Sequence, residues 1–564
     1  MSTSEVGEQP VRGTGRAARA ASWFVVLPDV EAARGIAERL PAEQTLRHPS
    51  GRPLVLGRWD SFSERNGRVE IGEVGLSAHV LESVGDRVRV RGTASGLRRV
   101  FQAVVDGVVV ASDRADVLAE LIGAGPDPLG IALRLLLPGA PWPLAWHSVW
   151  SGVSAVPPGY WVELPSGRHE RWWTPPAPDL PLADAAVLLR EALADAVSIR
   201  QQGKGKVACD LSGLDSSSLF GLAVQGGPVV ALTYQTDDPM DGDLAVARYL
   251  VEHFGASHDV LAVEGAPLPL HGMATDPGPF DEPTWVSGHR ARIGTASARA
   301  ARHQAELRLA GHGADELLLP PPVWLNDIAR RNPLRAARIA RQVQAKYRLP
   351  GRTMTRLLTD RTSYGEWFAN SLDRSSGWDI VDWGTPPGVP GWLSGAAVEQ
   401  VRDAMAGTAG EPLAEARGMH ATLAVVHVGA LGARHVAQLG EADGVPVAMP
   451  FFDDRVLEAC LAVRPEEAID PRRYKPQLVA AMADVLPAQV LTRTDKADFA
   501  MTIGRAWRAH RSELLELLDD SELWRLGLVD VDAVRRVVRG PYVEDTGGPV
   551  WQLLEVEAWL KGLR

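Results

Sequence analysis

The sequence predicts a chain in two parts: a layered α+β domain of short strands, then an α/β unit built on a doubly wound parallel sheet with a helical C-terminal part. Three observations carry this reading. Residues 23–175 fall into short apolar segments separated by Gly, Pro and Asp turns. The stretch "TPPAPDLP" (174–181) is a stiff, Pro-rich linker. Beyond it the apolar spacing becomes helical, and strands then alternate with helices, as a parallel sheet with helical crossovers requires. At 564 residues the chain also exceeds what one hydrophobic core serves.

The elements follow in order. Residues 1–22 are polar and rich in Arg, Gly and Ala, and read as a disordered tail. In the domain over 23–180 the strand candidates are "SWFVVLP", "RPLVLGRW", "RVRVRG", "VFQAVVDGVVVAS" and "GYWVEL". Asp106-Gly107 between two apolar runs is a tight-hairpin signal, and "RADVLAELI" is a short helix. The second domain, 181–564, opens with a helix whose apolar face is Ala185, Leu188, Leu189, Ala192, Leu193, Ala196 and Val197. Strands "KVACDL", "VVALTYQ", "HDVLAV" and "LRLAG" then alternate with helices, the last of them near 289–307. Residues 320–564 read as mostly helical, with Trp367, Trp378, Trp383 and Trp392 among Pro/Gly loops as a broad apolar surface suited to a peptide.

Composition narrows the function. A net charge of −11 gives no general field for nucleic acid, and no apolar stretch approaches the length of a membrane span. The two cysteines, Cys209 and Cys460, form neither a disulfide framework nor a metal cluster, and fit a cytoplasmic protein. Of 59 cationic side chains only 6 are lysine, so each lysine that survives the arginine bias is of interest. Residues 330–361 carry ten Arg or Lys against one acid, Asp360.

Two turns concentrate the chemistry. "DLSGLDSSS" (210–218) ends one apolar strand and opens a helix, where backbone N–H groups, the helix dipole and the Ser212, Ser216 and Ser217 hydroxyls could wrap a diphosphate. Asp215 could hold the Mg²⁺ that screens it. "LRLAGHGADELL" (307–318) ends another strand with Gly311 and Gly313 about His312, followed by Asp315 at a helix start. Two acids at two strand ends of one sheet can converge on a metal.

Together these turns resemble the asparagine synthetase family, whose ATP-pyrophosphatase domain carries Ser-Gly-Gly-x-Asp-Ser-Ser and Gly-x-Gly-Ala/Ser-Asp-Glu. The resemblance extends to "VPPGYWVELPSGRHERWWTPP" (156–176), to "ARHVAQLGEADGVPVAMPFFDDRVLE" (433–458), which puts Arg434 at the family's arginine, and to "VLPAQVLTRTDKADF" (485–499). It implies a glutaminase-like N-terminal domain and an ATP-binding synthetase domain with ATP and Mg²⁺ as cofactors. It also implies that the loop of Leu211, Ser212, Gly213, Leu214, Asp215, Ser216 and Ser217, with Thr233, Ala310 and Gly311, contacts ATP. Asp215 and Asp315 would hold Mg²⁺. Lys496 would steady charge on the phosphate and acyl oxygens, with Lys475 as a second candidate.

Three departures from the family pattern refine the expectation. The amidotransferase members cut glutamine with a cysteine after the initiator methionine; here Ser2 stands there, so glutaminase activity is not expected. Leu214 replaces a usual glycine. His312 stands where asparagine synthetases have glutamate and β-lactam synthetases a tyrosine that helps deprotonate an amine, and histidine is the better base near neutral pH. The nearest resemblance is to lasso peptide cyclases. It implies adenylation of an Asp or Glu side chain of a precursor peptide, release of pyrophosphate, and macrolactam closure by the peptide's N-terminal amine. A leader-binding protein and a leader peptidase would be partners. Small-ring closure of the β-lactam synthetase kind, or tRNA modification by an ATP pyrophosphatase, are the alternatives.

Overall fold

The computed structural model describes residues 20–73, 75–84, 87–236, 238, 241–374, 381–493 and 500–564. The N-terminal domain is two six-stranded antiparallel sheets. The alternating segments of the sequence put Phe24, Val26, Leu54, Val69, Leu81, Val90 and Val162 into the layer between them. The other face of the first sheet is covered by the helices Ala115–Ile122 and Pro128–Arg134. Val105 pairs with Val108 across Asp106 and Gly107, whose φ values of 50° and 80° are those of a type I′ turn, as the sequence predicts. Ala20 is already buried and the Ser22 hydroxyl donates to Glu441, so the folded domain begins inside the stretch expected to be tail.

The second unit opens with α1 (Leu182–Gln201) and continues β1 (Val207–Asp210), α2 (Leu214–Gly226), β2 (Val229–Tyr234), α3 (Asp243–Phe254) and β3 (Ser257–Leu261). Then come α4 (Val286–Arg302), β4 (Arg308–Leu309), α5 (Ala314–Leu318), α6 (Trp324–Arg331), α7 (Pro333–Tyr347) and α8 (Gly351–Thr359). The long α9 (Arg417–Ala442) leads to β5 (Val447–Ala448), α10 (Pro465–Ala468), α11 (Pro476–Ala481) and the closing α12 (Glu544–Gly562). The five strands pair in parallel in the order β3-β2-β1-β4-β5. The chain moves outward from β1 to β3 and then returns to the other side of β1, so the order reverses between β1 and β4. That reversal opens a crevice beyond the carboxyl ends of those two strands, the usual place for a ligand in such sheets.

The domains are joined by buried polar contacts. The Ser77 hydroxyl donates to Asp453 (2.5 Å), the Ala94 N–H to Asp454 (2.8 Å) and the Ser95 hydroxyl to the Phe452 carbonyl (2.7 Å). Arg200 of α1 binds both Asp453 oxygens (2.6 and 2.7 Å). Burial at this seam pushes the Asp454 carboxyl up to about 7. The segment "PFFDD" thus docks one domain on the other.

The tryptophans expected on a peptide-binding surface are corrected by the structure. Trp367, Trp383 and Trp392 are 2%, 7% and 6% exposed and form core beneath the helical part, with Trp383 donating to the Thr362 carbonyl (2.9 Å). Their large area is worth more buried than displayed, and the Pro/Gly loops fold over them. Trp378 lies outside the described residues.

Candidate active site

The two turns singled out in the sequence follow β1 and β4, the adjacent strands at the reversal, so the topology brings them face to face. Their approach is close because Gly311 has no side chain: a Cβ there would lie 3.0 Å from the Ser216 nitrogen and 3.2 Å from the Asp215 Cβ. Gly313 takes φ +100° and caps α5 against Phe451 and Phe452, where a Cβ would meet both at 3.0 Å. These two glycines set Asp315 opposite Asp215.

Lys475 lies between the two aspartates. Its side chain is fully buried, and its Nζ donates to Asp215 Oδ1 (2.6 Å) and Oδ2 (2.5 Å) and pairs with Asp315 Oδ1 at 2.7 Å. Three N–H donors thus meet three carboxylate oxygens. Lys475 holds the left-handed conformation, φ +42°, directly before Pro476, which opens α11. A lysine kept there is strained backbone retained by its ion pairs. The neighbouring Tyr474 hydroxyl reaches Asp315 Oδ1 at 3.4 Å, a contact that only the sequence position next to Lys475 could have suggested.

The residues of the turn after β1 are arranged less simply than the sequence suggests. Ser212 is exposed, and its N–H donates to the Ser216 hydroxyl (2.9 Å). The Ser216 and Ser217 hydroxyls donate to the Gly213 carbonyl (3.1 and 2.8 Å), the local bond that serine makes readily near a helix start. Ser212 is therefore the hydroxyl open to the crevice, while Ser216 and Ser217 brace the turn. Leu211 is buried, its carbonyl accepting from the Thr233 hydroxyl (2.9 Å), which in turn meets His258 Nε2 (2.9 Å). Ala310 is pinned by its N–H to the Ala448 carbonyl (3.0 Å).

Leu214, which replaces the usual glycine, starts α2 with Gly213 extended before it, and its side chain is buried. No left-handed φ is needed at 214, so the leucine costs the turn nothing and adds apolar burial. Leu214→Gly should lower stability by about 3 kcal/mol, read by thermal unfolding, rather than relieve strain.

His312 stands open to solvent in the crevice, with the Trp285 ring 6.4 Å from its own. Desolvation by the surrounding walls lowers its pKa from 6.5; Arg308 reinforces this, while Asp210 and Asp315 oppose it. Its imidazole is therefore neutral at neutral pH and free to accept a proton. Glu316 beside it is shifted the other way, upward, by burial and the Asp315 charge.

Arg434 is not part of this group. It is buried in α9, binds Asp281 through Nη1 (2.9 Å) and Nη2 (2.5 Å), and donates to the Asp113 carbonyl of the N-terminal domain (3.0 Å). Among the described residues its place is a clamp between domains rather than a contact of Asp215, Asp315 or Lys475. Lys496 lies outside the described residues.

The donor set suits a divalent cation. Two carboxylates already converge on one cationic nitrogen, and among the described residues no group of three or more metal-ligating side chains gathers anywhere. One or two carboxylates completed by substrate phosphates is the usual protein share of a Mg²⁺ site. Among the described residues no helix is long and apolar enough to cross a membrane.

The described fold can be set beside known proteins. Among solved structures, U34-tRNA thiolase NcsA from Methanococcus maripaludis is similar at 16% identity, over 25% of this chain and 49% of that chain, with a TM-score of 0.18. NMN synthetase from Francisella tularensis is similar at 19% identity, over 25% of this chain and 58% of that chain, also with a TM-score of 0.18. The chain thus spans about half the length of these structures. No curated protein matches it significantly. The family model described as Asparagine synthase matches residues 188–561, which include both turns, the parallel sheet, Lys475 and α12. With well over half its length matched, the chain belongs to the asparagine synthase family.

Proposed function

We propose that the protein is an ATP-dependent ligase that closes a macrolactam of the lasso peptide kind, joining an Asp or Glu side-chain carboxylate of a precursor peptide to the peptide's N-terminal amine. The observation that carries this reading is His312, a neutral imidazole open to solvent beside the paired Asp215 and Asp315. Family membership supports ATP use and amide-forming chemistry. A carboxylate does not react with an amine because oxide is a poor leaving group; ATP, when bound, supplies adenylation of the acid and leaves as AMP and pyrophosphate.

The chain's residues divide the remaining work. Asp215 and Asp315 would hold Mg²⁺, and Lys475, displaced from between them, supplies a compact positive charge to the departing phosphates. Ser212 and the N–H groups at the start of α2 receive the pyrophosphate oxygens. His312 takes the proton from the attacking amine nitrogen as the amide bond forms. Neither cysteine can supply a thiolate to cut glutamine, since both are buried and burial raises both thiols above their ordinary value. The amine therefore belongs to the substrate, where holding both groups on one molecule is worth effective concentrations of roughly 10⁵ M or more. In this reading the N-terminal domain is a glutaminase-like scaffold without glutaminase activity. A leader-binding protein and a leader peptidase deliver the peptide.

The test is mass spectrometry of leaderless candidate peptides incubated with ATP and Mg²⁺. Loss of one water with release of pyrophosphate supports the proposal; pyrophosphate release without cyclised product on any peptide tried overturns the lasso assignment. His312→Ala should leave pyrophosphate release within a few-fold and slow ring closure by about 10²-fold or more. For the wild type, closure should stay level down through the ordinary imidazole value of 6.5 and fall only at lower pH, because the depressed pKa keeps the base form present there. Equal loss of both half-reactions in the variant would instead make His312 a positioning residue.

A further inference from the structure

The cationic run at 330–361 forms a layer of α6, α7 and α8 whose inner side is apolar and whose outer side is almost wholly positive. Ala336, Ile339, Ala340 and Val343 of α7 are buried against the body. Arg335, Arg338 and Arg341 follow one another at three-residue spacing along α7, Arg331 ends α6 just before it, and Arg348 and Arg352 continue the surface, all exposed. Among the described residues none of these six has a carboxylate within ion-pair distance, although arginines elsewhere, such as Arg68, Arg200 and Arg434, are paired. From Ile328 to Thr359 the sequence contains no Asp or Glu at all.

The flanking acids are used inward. Asp327 accepts from the N–H groups of Arg417 (3.2 Å) and Gly418 (2.7 Å) at the start of α9, and Asp360 binds the Arg417 guanidinium (2.6 Å). The arginines of α7 thus face one another at spacings where like charges oppose the helix. Solubility does not ask for this in a chain of net charge −11. Two apolar side chains stand among them, Leu334 at 85% and Tyr347 at 56% exposure.

We propose that the outer face of α6, α7 and α8 docks an acidic segment of another protein, one that alternates carboxylates with apolar residues. Arginine forks match carboxylates in pairs, and the uncovered Leu334 and Tyr347 give the apolar residues of the segment a seat. A ribose-phosphate chain offers an exposed leucine nothing, and the charge of the whole chain repels a polyanion of that density. A lipid surface needs an apolar face to insert, and that face of α7 is already spent on the body. This inference does not depend on the reaction proposed above.

Fluorescence anisotropy of a labelled peptide of alternating Glu and Leu tests it on the full chain, beside an RNA oligonucleotide of equal charge and vesicles of phosphatidylglycerol. At about 50 mM salt the peptide should bind in the micromolar range. The triple substitution Arg335→Glu, Arg338→Glu, Arg341→Glu should weaken it about ten-fold or more, and Leu334→Ala about three-fold. The same triple variant should unfold at the wild-type temperature or above, because the repulsion along α7 is relieved. Tighter binding of RNA or vesicles than of peptide, indifference to Leu334→Ala, or a lower unfolding temperature in the triple variant would each overturn the proposal.

Discussion

Replacing Lys475 with methionine should sharply slow ATP-dependent product formation and make the ligand-free protein responsive to divalent cations. The ammonium is the buried counter-charge of two carboxylates, at 2.5 Å from Asp215 and 2.7 Å from Asp315. Methionine keeps the stem and removes the charge, leaving the carboxylates facing each other. Their side chains are 20% and 42% exposed, so water screens the repulsion and the stability loss should be modest, on the order of 1 kcal/mol. Catalysis should suffer far more, by about 10²-fold to 10³-fold, as when a preorganised charge is removed from a developing one. Millimolar Mg²⁺ without nucleotide should raise the melting temperature of the variant more than that of the wild type, whose site holds its own cation. A variant that neither loses turnover nor gains a metal response would remove Lys475 from the site. Asp215→Asn and Asp315→Asn should each lose turnover to a similar extent, since either change leaves one carboxylate for the metal.

Why Lys475 was only a secondary candidate in the sequence is a matter of long-range packing. It ends the run "PRRYK", in which Arg472 and Arg473 do bind Asp470 at the surface (3.0 Å each). Nothing local separates the buried cation from the two solvated ones except its being lysine in an arginine-biased chain. The turns after β1 and β4 were legible because strand, glycine, acid and helix start are a local pattern, and the order of a doubly wound sheet then forces them together. The hairpin at Asp106-Gly107 was legible for the same reason. The tryptophans and Arg434 were not. An apolar run among Pro/Gly loops reads alike as surface or core, and the partner of Arg434 is Asp281, 153 residues away.

That partner carries the second large expected effect: Asp281→Ala should cost about 3–5 kcal/mol, the usual penalty for breaking a buried pair and stranding its cation. Asp281 has no exposed surface. It accepts from both Arg434 nitrogens (2.9 and 2.5 Å), from Gln438 (3.1 Å) and from the Ala115 N–H (3.3 Å), while its carbonyl receives the Trp150 indole (2.8 Å). Its neighbours extend the lock: Glu282 pairs with Arg99 of the N-terminal domain, and the Phe280 carbonyl accepts from Trp559 of α12 (3.0 Å). One short segment therefore ties the N-terminal domain, α9 and α12 together, and its loss should uncouple them. Scaled to a domain of this size, the first thermal transition should fall by about 5 °C. Asp281→Asn, which keeps shape and discards charge, should cost nearly as much if the charge is what matters. Although burial opposes ionisation, the Arg434 charge, with nearby His435 (Nε2 at 3.5 Å) and Arg114, holds the Asp281 carboxyl well below its usual 3.8. A depressed carboxylate stabilises fully above its unfolded value and loses that contribution as pH falls through its folded value. The gap between wild type and Asp281→Asn should therefore be constant from pH 7 to about pH 5 and shrink below pH 4. A gap that persists unchanged at pH 3, or an asparagine variant as stable as the wild type at pH 7, would mean that packing rather than charge holds the domains together.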